Sequence, residues 1–260
     1  LPGEPERSAV AAVERVAVRA VPAALEHDVE GWLVAIGLGA VNRMNSTTTF
    51  GILPTSLDAA VDAVEDLTRQ HGTTTRFRLT PLDARLDAVL ARRGFVRSDD
   101  VVVMTMPFVA RPSTVVDPRV AVSTKVTAAW LAGLRACGGY DEARVREIGE
   151  SLGRLRLPFA AFGLVGAGST RDVDADARPM AVGLAVRDGA WLGLFDVAVA
   201  PDHRRSGLGR TITTSMLAWG RAVGAERAYL QVHSLNEPAI ALYHDLGFAE
   251  AYRYHYRTAA

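Results

Sequence analysis

Between Asp196 and Ile212 the chain reads Asp-Val-Ala-Val-Ala-Pro-Asp-His-Arg-Arg-Ser-Gly-Leu-Gly-Arg-Thr-Ile: the pattern of a short strand, a turn holding Gly207 and Gly209, and the first turn of a helix. Residues of these types in this order can cradle a phosphate. Glycine removes the Cβ atoms that would hold a diphosphate away from the main chain, and a helix start offers unpaired N–H donors and a partial positive charge. The run therefore points to an anionic cofactor. Two common nucleotide motifs do not fit it. A dinucleotide fingerprint needs a third glycine where Ile212 stands and an acidic residue where Val232 and His233 stand, and a P-loop needs Gly-Lys-Ser/Thr, which is absent.

Composition makes the cradle a local feature. With 29 Lys and Arg against 29 Asp and Glu, the chain has no overall field to attract nucleic acid or an anionic membrane, so neither is an expected partner. At 260 residues, 49% hydrophobic and 22% charged, it has the make-up of a globular protein of one large or two moderate domains. The single cysteine, Cys137, has no partner for a disulfide, a metal cluster or a redox pair, which fits a cytoplasmic location. The apolar stretches Gly31 to Val41 and Leu157 to Ala167 are too short to span a bilayer, and the start, Leu-Pro-Gly-Glu-Pro-Glu-Arg, has no signal-peptide pattern.

The elements that must position the cradle repeat an earlier segment. Ser56 to His71 reads as a helix ended by Gly72, Thr75 to Leu79 as a strand, Leu82 to Arg92 as a helix closed by Gly94-Phe95, and Val101 to Met106 as a strand. Thr211 to Val223, Gly224, Arg227 to Val232, Pro238 to Leu246, Gly247-Phe248 and Ala251 to Tyr256 follow the same plan. The proline-bearing stretch Phe108 to Pro118 reads as the linker, dividing the chain into domains at 1–110 and 119–260. The second half opens with a strand at Val120 to Val126 and helices at Ala128 to Cys137 and Asp141 to Leu155, with Asp141 as N-cap. Strands at Pro158 to Val165 and Met180 to Val186 flank a polar loop, Gly166 to Arg178, and Trp191 to Val199 completes a hairpin through Asp188-Gly189.

Two motifs in order carry a resemblance. Arg204-Arg-Ser-Gly207-Leu-Gly209 matches Arg/Gln-x-x-Gly-x-Gly/Ala, and Asn236-Glu-Pro-Ala239-Ile-Ala-Leu242-Tyr243-His-Asp-Leu-Gly247-Phe248 matches Asn-x-x-Ala-x-x-Leu-Tyr-x-x-x-Gly-Phe. The stretch from Leu192 to Arg257 thereby resembles the GNAT superfamily of acyl-CoA-dependent N-acetyltransferases. The resemblance implies an α/β (α+β) fold of two GNAT-like domains, each a mixed, largely antiparallel twisted sheet flanked by helices, the first a degenerate copy. It implies acetyl-CoA as acyl donor and no metal. The cofactor would lie on Arg204, Arg205, Ser206, Gly207, Leu208, Gly209 and Arg210, its pantetheine arm along Val197, Ala198 and Val199, where a main-chain N–H can stabilise an oxyanion. Tyr243 is implied as general acid to the departing thiolate, and Asn236 either bonds the pantetheine or caps its helix.

The proton taken from the acceptor amine needs a base. The family often has a glutamate early in the strand before the signature, where this chain has Gly193; Asp196, on the same strand, is the candidate in its place, with His233 as a second. Histidines 233, 244 and 255 show no recognisable carboxylate partner, and the alternating Tyr252, Tyr254 and Tyr256 either line an acceptor pocket or pack a sheet. In the amino-terminal half Phe50 to Ser56 has no cradle, and Asn42 to Ser46 is either a source of substrate contacts or a solvated loop. The expected activity is acetyl transfer to a primary amine of a small molecule or peptide by direct attack, with a non-catalytic acyl-CoA sensor as the alternative; homodimerisation stays open.

Overall fold

A computed structural model describes residues 4–108, 115–164 and 179–260. The polar loop expected at 166–178 and the centre of the expected linker lie outside the described residues. In chain order the elements are α1 (Glu4–Ala20), β1 (Leu25–Val29), β2 (Trp32–Ile36), β3 (Thr47–Thr48), α2 (Leu57–Gln70), β4 (Arg76–Leu79), α3 (Ala84–Arg92), β5 (Val96–Pro107), β6 (Val120–Ser123), α4 (Ala128–Gly138), α5 (Glu142–Arg154), β7 (Phe159–Leu164), β8 (Ala181–Asp188), β9 (Trp191–Val199), α6 (Leu208–Ala222), β10 (Arg227–His233), α7 (Glu237–Asp245) and β11 (Ala249–Thr258).

Two compact units result, one of Leu1–Met104 with Gln231–Ala260 and one of Thr105–Leu230. Their limits differ from the contiguous expectation of 1–110 and 119–260. The reason is a long-range pairing: β11 lies antiparallel to β4, with Tyr256 opposite Arg78, and so joins the amino-terminal residues.

In the first unit β5 neighbours β11, and the other strands pair in the order β1-β2-β3-β4-β11. The pairs in that order are antiparallel except β3 and β4, which are parallel and joined through α2. Strand side chains alternate between faces. One face sends Trp32, Val34, Phe77 and Leu79 into a core with Val61 and Val64 of α2 and Leu86 and Leu90 of α3. The other carries Arg78, which meets Glu14 of α1. Helix α1 buries Val10, Val13, Ala17 and Ala20, a stripe at helical period.

The second unit pairs its strands in the order β10-β9-β8-β7-β6, antiparallel except for β9 and β10, which are parallel and joined through α6. Here Trp130 of α4 donates its indole N–H to the Gly183 carbonyl at 3.2 Å, fixing α4 on β8. Each unit thus contains one strand–helix–parallel-strand crossover among antiparallel strands. Among the described residues no helix is long and apolar enough to cross a membrane.

Several local expectations shift. Helix α6 starts at Leu208, inside the glycine motif, because Gly207 serves as its N-cap. Strand β6 stops at Ser123, where the Ser123 hydroxyl accepts from Lys125 N–H and donates to the Lys125 carbonyl, forming a turn. Asn42 to Ser46 is neither a strand nor a solvated loop: Asn45 is buried, and its side-chain oxygen accepts from the N–H groups of Gly37 and Gly39 at 2.9 and 3.0 Å.

Candidate active site

The cradle begins with a defect in a strand. Along β8 and β9, Val182 pairs with Ala198 but Leu184 pairs with Phe195, so Asp196 and Val197 together face Gly183. This β-bulge bends β9, and Asp196 takes up the extra residue with a left-handed φ of +51°. Beyond it Val197, Ala198 and Val199 are half-buried, and Ala200 N–H donates to the Met180 carbonyl at 2.9 Å.

The chain then makes one turn of 3₁₀ helix, Pro201–His203, in which His203 N–H donates to the Ala200 carbonyl at 2.9 Å. The Ser206 hydroxyl donates to the His203 carbonyl, and Arg204 Nε donates to the Val199 carbonyl at 3.3 Å. Arg205 and Gly207 both have positive φ, +60° and +83°. Such alternation turns successive N–H groups toward one side, the geometry of an anion nest. Gly207 caps α6 with no side-chain hydrogen bond, residues 201–207 and Arg210 are exposed, and Leu208 and Gly209 are half-buried. No side chain caps α6 at Gly207, and the first turn of a helix lies ahead of its i→i−4 hydrogen-bond ladder.

The corresponding helix start in the first unit is chemically different. There Ser56 caps α2 by accepting from Ala59 N–H at 3.3 Å, and a Glu30 carboxylate oxygen accepts from Thr55 N–H at 3.1 Å. A carboxylate already holds the position of an anion.

The candidate acid–base residues fall in both units. Asp196 belongs to the second, is 9% exposed, and accepts at Oδ1 from the Tyr140 hydroxyl at 3.2 Å. Gly193 has no room for the glutamate seen elsewhere in the family: a Cβ there would lie 2.6 Å from the Tyr229 hydroxyl oxygen and 2.6 Å from Phe195 Cε2. Cys137 is buried, its thiol donates to the Pro179 carbonyl at 3.1 Å, and burial pushes its pKa up, which disfavours the thiolate an acyl-enzyme would need.

Tyr243 and Asn236 belong to the first unit. Tyr243 is the buried residue of α7, 7% exposed, with its ring edge-on to Phe248 at 5.9 Å. Asn236 caps α7, its side-chain oxygen accepting from Ala239 N–H at 3.3 Å.

Two of the three histidines do have carboxylate partners, contrary to expectation, while His244 Nδ1 lies 3.1 Å from the Phe248 carbonyl oxygen. His255 Nε2 lies 3.1 Å from Asp87 and His233 Nε2 3.8 Å from Asp99, pairings that only the strand and helix packing creates. Burial opposes ionisation of Asp87, but hydrogen bonds from Arg257 and His255 hold its carboxyl below the ordinary value. Among the described residues no group of three His, Cys, Asp or Glu is arranged to hold a metal.

Tyr252, Tyr254 and Tyr256 form a buried ladder around an ion pair that sequence reasoning missed. Arg78 donates to Glu14 at 2.9 Å, its guanidinium lies 4.0 Å from the centre of the Tyr254 ring, and the Tyr252 hydroxyl donates to the same Glu14 oxygen. Burial raises the Glu14 pKa, opposed by Arg78, and burial pushes the Tyr252 phenol well above its ordinary value. Tyr140 was also missed; the Gly138-Gly139-Tyr140-Asp141 turn between two helices was its only signal.

A model of the family described as "Probable histone acetyltransferase Rv0428c C-terminal" matches residues 7–257. The chain belongs to that family. It is a member of the GNAT N-acetyltransferase superfamily. Over 252 residues it is 24% identical to "Uncharacterized N-acetyltransferase YobR" of Bacillus subtilis (strain 168), covering 94% of this chain and 96% of the relative. The GCN5-related N-acetyltransferase from Kribbella flavida shares the fold, with a TM-score of 0.68 at 14% identity over 95% of this chain and 94% of that one. A tandem GNAT protein from the clavulanic acid biosynthesis pathway matches with a TM-score of 0.59 at 17% identity, covering 78% and 69%. The GNAT fold seen here is an α+β arrangement, a mixed sheet flanked by helices, and GNAT membership implies acetyl-CoA as acyl donor. The exposed nest of Arg205 and Gly207 at the start of α6 fits a diphosphate.

Proposed function

We propose that the protein is an N-acetyltransferase that moves acetyl from acetyl-CoA to a primary amine of a small molecule or peptide by direct attack. The observation that carries this reading is the pairing of a bulge in β9 with a helix start that no side chain caps, Arg205 and Gly207 both being left-handed. Main-chain N–H groups from Arg205 to Arg210 hold the diphosphate, and Val197 to Val199 pair with the extended arm. Acetyl-CoA supplies the acetyl thioester. Asp196 takes the proton that the ammonium must lose before nitrogen attacks, and Tyr243 gives its phenolic proton to the departing thiolate as the C–N bond replaces the C–S bond. Asn236 caps the helix that carries Tyr243. The two similar crossovers support descent from a repeated unit in which only the second copy binds the cofactor.

One observation favours a second reading, a sensor that binds acyl-CoA without turnover: the Tyr229 hydroxyl closes the position of the family's glutamate at Gly193. Thiol release from acetyl-CoA separates the two when measured with a lysine peptide, a polyamine and an amino sugar, alongside calorimetric binding of acetyl-CoA. Amine-stimulated release supports the transferase. Binding at micromolar affinity with no stimulated release by any amine supports the sensor.

A further inference from the structure

We propose that Tyr140 is a positioning residue for the Asp196 carboxylate, aimed at it by the two-glycine turn between α4 and α5. The inference rests on the reading of Asp196 as the group that deprotonates the acceptor. The turn is built around the tyrosine. Helix α4 ends at Gly138, and Gly139 reverses the chain with φ of +66° while its N–H donates to the Arg135 carbonyl at 3.0 Å. Asp141 then starts α5 at once by accepting from Arg144 N–H at 2.8 Å. With caps on both sides, Tyr140 is left little backbone freedom.

The ring is held both sterically and electrostatically. A Cβ on residue 138 would stand 3.0 to 3.3 Å from Cε1, Cδ1 and Cζ of Tyr140, so glycine there makes the space that the ring fills. The Arg144 guanidinium lies over the ring, 4.0 Å from its centre. A cation on a phenol face draws electron density from the ring and makes the hydroxyl a stronger donor. That hydroxyl donates to Asp196 Oδ1 at 3.2 Å. Asp196 itself sits in a left-handed bulge position that a non-glycine residue adopts only when its surroundings hold it there. A carboxylate that accepts a proton from an amine needs a fixed plane, and fixing one oxygen sets it.

Tyr140→Phe tests this, because it keeps the ring and its stack on Arg144 and removes only the donor. With the best amine of the panel, kcat is expected to fall about tenfold, the scale of one hydrogen bond to a charged group. Acetyl-CoA affinity by calorimetry and Tm should stay at the parent values, and a crystal structure of the variant should show Asp196 in more than one rotamer. Gly138→Ala, which crowds the ring, should also lower kcat. Unchanged kcat in Tyr140→Phe alongside impaired Asp196→Asn overturns the inference while the base reading stands; unchanged kcat in Asp196→Asn removes the base reading itself. A lower Tm with unchanged kcat marks a merely structural tyrosine and also overturns it. Should no amine be turned over, the Asp196 side chain in the Tyr140→Phe crystal decides, and a single unaltered rotamer refutes the proposal.

Discussion

Replacing Gly207 by valine separates the cost to folding from the cost to cofactor binding. Gly207 has φ of +83°, and a Cβ built on it meets no atom within 4 Å, so the substitution strains the backbone without a clash. Left-handed strain for an L-residue is about 1–2 kcal/mol. For a chain of this size each kcal/mol shifts Tm by about 2–4 °C, so a fall of roughly 2–8 °C is expected. Binding should suffer more. A side chain on the nest and a tilt of its N–H groups would remove two hydrogen bonds to charged phosphate oxygens, each about 1.5–3 kcal/mol. A loss of about 3 kcal/mol or more is a weakening of acetyl-CoA by at least about 100-fold. Gly94 supplies the control: its φ is +85°, a Cβ there also meets nothing within 4 Å, and it ends α3, away from the cradle sequence. Gly94→Val should lower Tm by a similar amount and leave calorimetric acetyl-CoA affinity within about twofold. Equal affinities in the two variants, or an equal loss in both, would refute the reasoning that main-chain amides at Gly207 grip the cofactor.

Tyr243→Phe preserves the buried ring against Phe248 and removes a proton donor, so steady-state kinetics should show kcat lower by at least about 100-fold with acetyl-CoA affinity nearly unchanged. Arg78→Met leaves Glu14 buried without its cation and should cost about 3–5 kcal/mol in urea unfolding, while the double variant Glu14→Gln/Arg78→Met should recover part of that loss. Asp87 has a folded-state pKa below its ordinary 3.8, so its stabilising contribution is present above that value and disappears as pH falls through the lower folded-state value. The stability gap between the parent and Asp87→Asn, followed by denaturant titration, should therefore be largest near neutrality and close below pH 4; a gap that widens in acid would contradict the assignment.

How much of this was legible depended on the range of the interactions involved. The strand, turn and helix around the glycine motif were readable because glycine at 207 answers a local need, a positive φ at a helix start, and because Asp141 and Ser56 cap helices by bonds spanning three residues. The repeated helix, strand, helix order was readable from periodicity for the same reason. The membership of β11 was not, since its place beside β4 is decided by pairing between residues in the first and last thirds of the sequence. Nor was the bulge, because a left-handed φ is uncommon for any residue with a side chain and it is the register of β8 against β9 that places one at Asp196. The Glu14–Arg78 pair, the Asp87 partners of His255 and Arg257, and the Tyr140 contact all depend on elements far apart in the chain that packing brings together.

The contrast between the starts of α2 and α6 shows how one crossover can serve two purposes. Both helices follow a strand and lead to a parallel neighbour, so both start beyond the C-terminal end of a strand with a partial positive charge there. At α2 that end is satisfied from within: Ser56 takes one donor and the Glu30 carboxylate takes another, just before the helix. A diphosphate approaching there would meet the Glu30 carboxylate and find the Ala59 and Thr55 N–H groups engaged. At α6 the cap is a glycine without a side chain, the preceding residues are exposed, and three arginines, 204, 205 and 210, surround the turn. Backbone topology is shared, and the two helix entrances differ in a few side chains. On the proposed reading, Ser56 and Glu30 set the first unit's helix entrance apart, through ordinary capping that stabilises the helix by about 1 kcal/mol.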